Sequence, residues 1–303
     1  MEKRPRIAAL VDTHWWAWGY KAAAIKKYLN GDFHVDIISV SSPEVLKLRE
    51  DEYDLYLAFG FALAEYMLHI PKQKKIIGVT AHRKKDITKQ LKTCGWYHAN
   101  SILLWNELVH KWEFPKERTF YVPNGVDDKL FNLLPLTKED DFGFVGKDVP
   151  AKNWKFVKEA ATCAGVTLFS HISNHKDGIP LILMSSIYRQ FNCLIVASED
   201  DGTPNPALEA AACGRPIISN RIGNMPEFII DIRKDQKRGN GILLDSIDLQ
   251  SYVDSIKYFR DNPDLLYVAG INARMTVELE WTWKRQIENY RHMFRTILGE
   301  NRD

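Results

Sequence analysis

Asn192-Cys-Leu-Ile-Val-Ala-Ser-Glu-Asp-Asp-Gly-Thr-Pro-Asn-Pro-Ala-Leu-Glu-Ala-Ala-Ala-Cys-Gly214 runs from an apolar strand through a Gly/Pro turn into a helix of small residues. A short continuous apolar run bounded by turn residues reads as a strand covered on both faces. Two carboxylates, Asp201 on the turn and Glu209 about one turn into the helix, bracket the segment. Backbone N–H groups at a helix start favour an anion, a phosphate above all. A nearby carboxylate that does not touch the phosphate can accept from sugar hydroxyls. A phosphate cradle flanked by acceptors is what a nucleotide-sugar site needs.

Working outward, the same strand–helix rhythm repeats. In the first half, apolar runs stand at 7–11, 35–40, 55–59, 76–80, 101–104 and 120–122, with helical patterns at 20–29 and 61–70. A second set at 142–146, 166–170, 193–197, 216–220 and 241–244 alternates with helices near 152–164, 179–189, 206–213 and 247–261. Strands alternating with helices imply parallel sheet. Two doubly wound α/β domains in tandem are therefore expected, with strand carboxyl ends facing a shared cleft. The Pro- and acid-bearing stretch 132–141 breaks the rhythm and is read as the linker. The expected division is 1–137, 138–283 and a terminal helix, 284–303, packing back on the first domain.

The 303 residues are 45% apolar and 26% charged, a composition able to bury two cores, and the net charge of +2 names no nucleic-acid partner. No apolar run approaches the ~18 residues of a membrane span. Cys94, Cys163, Cys193 and Cys213 show no C-x-x-C spacing, which suits reduced thiols in a cytoplasmic protein. His171 and His175 are four apart but in a loop-like segment, so no metal site is expected. Residues 72–92 hold eight Lys/Arg against one acid. Such a run is a solvated face or a contact for anionic headgroups or a polyanion, DNA included.

Four stretches carry a family likeness: Val122-Pro-Asn-Gly-Val-Asp-Asp-Lys-Leu-Phe131, Phe144-Val-Gly-Lys-Asp-Val-Pro-Ala-Lys-Asn153, the segment from Ser198 to Pro216, and Gly223-Asn-Met-Pro-Glu-Phe-Ile229. In this order and spacing they resemble the retaining glycosyltransferases of family 4, of the GT-B fold, in which two Rossmann-like domains face one cleft. The resemblance implies transfer of a sugar from a UDP- or GDP-linked donor, with retention and without a metal or other cofactor. The acceptor would be a polysaccharide, glycolipid or other hydroxyl compound, and the protein cytoplasmic or peripheral at the inner membrane surface. Hydroxylated bases of DNA as acceptor, or a catalytically silent nucleotide-sugar-binding module, are the alternatives.

On that reading Lys147 and Lys152 meet the diphosphate, and preorganised charge of this kind is commonly worth ~3–4 kcal/mol per group at the transition state. Lys147 stands where the family has Arg, a point charge in place of a fork. Asp201, in place of the family's Glu, would hold the transferred sugar, with Glu199 and Asp200 as competitors. Glu209 would accept from the ribose. Gly146, Gly202, Thr203 and Asn205 would face the donor, and Glu227 would order its own helix start or assist. His82, in Gly78-Val-Thr-Ala-His82, corresponds to the family's strand-end histidine. The usual Gly-Gly of the first strand–helix loop is missing from Thr13-His-Trp-Trp-Ala-Trp-Gly19, which leaves Gly19 as its substitute. Trp15, Trp16 and Trp18 on this loop read as an acceptor-facing aromatic surface or as a hydrophobic plug.

Overall fold

The apolar runs pair as two parallel sheets in the computed structural model, which describes residues 4–81, 93–137, 141–173 and 178–299. Among the described residues, β1 (Arg6–Val11), β2 (His34–Ser39), β3 (Leu55–Ala58), β4 (Lys75–Val79), β5 (Trp96–Ala99) and β6 (Thr119–Tyr121) form one sheet in the order β2-β1-β3-β4-β5-β6. β7 (Asp141–Lys147), β8 (Thr167–Ser173), β9 (Cys193–Val196), β10 (Ile217–Asn220) and β11 (Gly241–Leu244) form the other, in the order β11-β10-β9-β7-β8. In each sheet the chain first steps to one side and then returns to the other. The reversal falls between β1 and β3 in the first sheet and between β7 and β9 in the second. Doubly wound sheets bind ligands outside the strand carboxyl ends at such reversals.

The chain groups into two compact units, Met1–Asn124 with Trp283–Asp303, and Gly125–Thr282. In the first unit the helices Ala17–Leu29 and Trp283–Leu298 cover one face of the sheet, with Ile25, Leu29, Ile287, Tyr290 and Phe294 in its core. Arg291 and Arg295 of the terminal helix both donate to the Asp32 carboxylate, at 3.0 and 2.7 Å. In the second unit the sheet carries a core on each face. One gathers Leu208, Phe228 and Trp281; the other gathers Phe144, Val157 and Tyr252.

The division differs from the expected one at residues 125–137, which pack with the second unit. One tie that holds this segment is a wholly buried arginine, Arg215. Its guanidinium donates to the carbonyls of Leu134 (3.0 Å), Pro135 (2.7 Å) and Tyr188 (3.0 Å). Burial draws this guanidinium down to about 10. Arg215→Met should cost about 3 kcal/mol, because the buried Tyr188 carbonyl loses its donor and the part-buried Leu134 and Pro135 carbonyls lose charge-assisted hydrogen bonds. A lowered urea midpoint with native activity in the folded fraction is the expected result; an unchanged midpoint would remove Arg215 as the anchor.

Residues 101–104, expected as a strand, instead begin the helix Ile102–Asn106. Ser101 caps that helix by accepting from the Leu104 N–H at 3.2 Å. The strand lies one step earlier, at Trp96–Ala99, where Trp and His interrupt the apolar run. The pattern at 61–70 forms a 3₁₀ segment, Phe61–Met67. The helix Pro263–Thr276, absent from the sequence reading, begins with Pro at its first turn and packs Leu266, Ala269 and Ala273 inward.

Candidate functional site

In the second unit, the loops after β7 and β9 are laced to each other at the sheet reversal. The Glu199 N–H donates to the Ala151 carbonyl at 2.9 Å, and the Ser198 hydroxyl to the same carbonyl at 3.4 Å. Asn153, in the left-handed region at φ 51°, donates its amide to Glu199 at 3.1 Å. Asn tolerates that conformation better than most residues. From below, Asn220 donates to the Ser198 carbonyl at 2.9 Å, and Tyr252 to the Val196 carbonyl at 2.7 Å. The loop after β10 closes the side. A Cβ at Gly223 (φ 52°) would lie 2.4 Å from the Gly202 carbonyl oxygen, so only glycine allows this approach.

On that frame the Lys152 ammonium forms an ion pair with the Asp201 carboxylate, both side chains half-buried. Ser198 also reaches Asp201 at 3.5 Å. Asp201 is thus paired with a candidate phosphate ligand, whereas Glu199 is exposed and engaged with Asn153. Lys147 ends β7, half-buried and next to Gly146, so both stand at the same sheet reversal. Gly202 and Thr203 are buried in the turn, and Asn205 opens the helix Asn205–Ala212, whose start has no side-chain cap.

Glu209 lies on this helix. It accepts from the wholly buried Tyr188 hydroxyl at 2.6 Å. Burial pushes the Glu209 carboxyl up to about 7, with the Tyr188 hydrogen bond opposing the rise. A carboxyl with that affinity for protons, beside a helix start, is typical of a functional position. Tyr188, on the short helix Met184–Tyr188, was not singled out from sequence, since nothing in its local pattern marks the contact. Asn224 was also missed: it is fully buried, and neither amide atom has a partner among the described residues. Glu227 sits in the first turn of Met225–Phe228.

The remaining candidates lie in the first unit or outside the described residues. His82 and His175 are outside them. Gly19 is buried, and a Cβ there would meet the Thr13 and His14 carbonyl oxygens at 2.4 and 2.3 Å; the tight turn itself accounts for this glycine. Trp18 packs into the cores on both faces of the first sheet and covers Gly60, whose Cβ would fall 2.4 Å from its ring. Trp15 is exposed and edge-on to half-buried Trp16 at 5.9 Å. The three tryptophans therefore divide into one plug and two surface rings. No cluster of His, Cys, Asp or Glu fit to hold a metal occurs among the described residues, nor is any helix there long and apolar enough to cross a membrane.

Residues 126–262 match the family model of the glycosyl transferases group 1. An uncharacterized glycosyltransferase of Methanocaldococcus jannaschii is 23% identical over 205 residues, covering 60% of this chain and 55% of that protein. Sulfoquinovosyl transferase SQD2 of Arabidopsis thaliana is 23% identical over 291 residues, 83% of this chain and 55% of the relative. The chain thus spans about half the length of these two relatives. Among solved structures, sucrose-phosphate synthase of Thermosynechococcus elongatus superposes with a TM-score of 0.76 at 14% identity, over 98% of this chain and 100% of that one. Anabaena HepE, in complex with UDP and glucose, superposes at 0.72 and 12% identity, over 97% of this chain and 100% of that one. The second unit thus carries the glycosyl transferases group 1 match, and the chain as a whole has the GT-B fold of two Rossmann-like units.

Proposed function

We propose that the protein is a glycosyltransferase that binds a nucleotide-diphosphate sugar, UDP- or GDP-linked, in its second unit and passes the sugar to a hydroxyl acceptor with retention. One observation carries this: at the β7/β9 reversal, a Lys152–Asp201 pair, Lys147 and an uncapped helix start bearing Glu209 stand on loops tied by hydrogen bonds. The chemistry needs stabilisation of a departing diphosphate and of an oxocarbenium-like ring. Lys147 and Lys152 would supply positive charge to the diphosphate, with main-chain N–H groups of Gly202 and Thr203 beside them. Asp201 orients Lys152 in the resting protein and would accept from hydroxyls of the transferred sugar. Glu209 would hold the ribose hydroxyls. In this scheme no side chain attacks the sugar; the acceptor proton passes to the leaving diphosphate oxygen.

The lysine pair supplies the charge that a divalent cation would otherwise bring to the diphosphate, so a metal is not required by this scheme. Transfer measured with excess EDTA should match transfer with magnesium within about twofold; activity abolished by chelation and restored by metal would contradict it. The acceptor is a glycan, a glycolipid at an anionic membrane surface, or another hydroxyl compound. Trp15 and Trp16 are the surface rings available to it in the first unit. Trp16→Ala should raise acceptor KM about tenfold and leave donor KM unchanged; an unchanged acceptor KM at full activity rejects this role.

The proposal is tested by incubating the protein with UDP-glucose, UDP-N-acetylglucosamine and GDP-mannose, with and without oligosaccharide or lipid acceptors, and measuring nucleotide release. Release stimulated by an acceptor, with the product anomer matching the donor, is expected. Nucleotide binding without release under all conditions would make the chain a binding module. Release confined to hydroxymethylated DNA would move the acceptor to nucleic acid.

A further inference from the structure

The first unit buries a group of polar side chains for which the proposed chemistry has no use. Lys21, on the helix Ala17–Leu29, is 3% exposed, and its ammonium lies 5.4 Å from the centre of the Phe59 ring. His98, on β5, is fully buried, and neither ring nitrogen has a hydrogen-bond partner among the described residues. Tyr290, on the terminal helix, is fully buried, its hydroxyl equally without a partner there, its ring edge-on to His98 at 5.7 Å. Gly78, beside His98 in the sheet, makes room for the imidazole, since a Cβ there would come within 2.6 Å of His98 Nε2.

Three elements thus bring an ammonium, an imidazole N–H and a phenol O–H into one apolar layer. No carboxylate among the described residues acts on Lys21 or His98. Buried donors are normally matched by acceptors, and a buried cation by a counter-charge. We propose that Lys21, His98 and Tyr290 form a buried site for a small monovalent anion of halide size, held by the ammonium and completed by the imidazole and phenol. One ammonium balances one negative charge, which excludes phosphate and sulfate as occupants on charge grounds. The site joins the first helix, β5 and the terminal helix, so an anion there fastens the terminal helix to the sheet.

The proposal carries its own pH signature. Burial alone lowers the Lys21 amine to about 7, and burial together with the Lys21 charge lowers the His98 imidazole to about 3. The anion binds the protonated amine, so it raises that value and its stabilising effect is full below pH ~7 and fades above it.

The test follows thermal unfolding of the full chain as chloride replaces gluconate at constant ionic strength, near pH 6 and near pH 9. Chloride should raise the melting temperature by a few degrees near pH 6 and far less near pH 9. Lys21→Met should abolish the chloride increment, and Tyr290→Phe, which keeps the ring packing, should reduce it. Crystals soaked in bromide should show an anomalous peak beside Lys21 Nζ. Equal melting temperatures in the two salts, an increment that survives in Lys21→Met, or a melting temperature that climbs from pH 7 to 10 regardless of chloride would overturn the proposal. The last result would mean that the lysine is simply held neutral. Should Lys21→Met fail to fold, the Tyr290→Phe increment and the bromide map decide.

Discussion

Replacing Lys147 and Lys152 together with alanine should lower kcat by about 10³-fold or more while donor KM rises less than tenfold. On the proposed donor placement each lysine would face the region where charge develops as the diphosphate departs, and removal of one preorganised donor commonly costs ~10²–10³ in kcat. The two act on one group, so the double variant should fall short of the product of the singles. Lys152 also carries the Asp201 ion pair. Lys152→Ala removes the cation paired with Asp201 and leaves a half-buried carboxylate where, on the proposed placement, negative phosphate would sit. It should therefore be the more damaging single change. Asp201→Asn, by contrast, frees Lys152 from its pair and should damage sugar positioning more than nucleotide affinity. Circular dichroism and melting temperature close to wild type would show that these losses come from the site. A kcat within threefold of wild type in the double variant would remove both lysines from the chemistry.

The second large effect concerns Glu209 and its proton. A carboxylate can accept from ribose hydroxyls at both oxygens only when ionised, and burial holds this one near 7 despite the Tyr188 hydrogen bond. Donor affinity should therefore fall about tenfold per pH unit below 7 and level off above it. Tyr188→Phe preserves a buried ring and removes the donor that favours the ionised form. The carboxyl should then move higher, and the limb of the donor pH profile with it, so that affinity lost at pH 7 returns at pH 9. A purely structural role for Tyr188 would lower affinity equally at every pH, which is the contrary result.

The same proton has a stability consequence of opposite sign. The folded carboxyl binds its proton more tightly than the unfolded one, whose value is near 4.5. Its contribution therefore favours the fold below about 4.5 and turns into a cost as pH rises from there to about 7. Glu209→Gln should thus melt higher than wild type at pH 8 while binding donor at least tenfold more weakly. A residue that weakens the fold and strengthens ligand binding is the pattern expected of a site rather than of a scaffold. Lower melting together with unchanged affinity would assign Glu209 to the scaffold.

Much of the second unit was legible because its physics is local. The strand Cys193–Val196 is a continuous apolar run, its turn is marked by Gly202, Pro204 and Pro206, and its helix by small residues. Asp201 was legible in the turn itself and Lys152 through the family likeness; the two, 49 positions apart, are paired because each stands just beyond a strand end and the sheet order makes those ends neighbours. What escaped is what distance along the chain conceals. Tyr188 meets Glu209 from a different element, and Arg215 captures carbonyls 80 and 81 residues away. Neither contact has a period or a motif. At Ser101 the error was one of capping: an apolar stretch beginning with Ser was read as a strand, whereas its hydroxyl starts a helix. In the first unit, Trp15, Trp16 and Trp18 are alike in sequence, and only packing against Gly60 sets Trp18 apart.

Calorimetric titration of UDP and GDP into the wild-type chain and into Glu209→Ala tests the nucleotide site most directly. One nucleotide should bind the wild type at a single site with micromolar affinity, and the variant should bind it at least tenfold more weakly. No heat from either nucleotide, or identical affinities in the two proteins, would contradict the placement of the donor at the β7/β9 reversal.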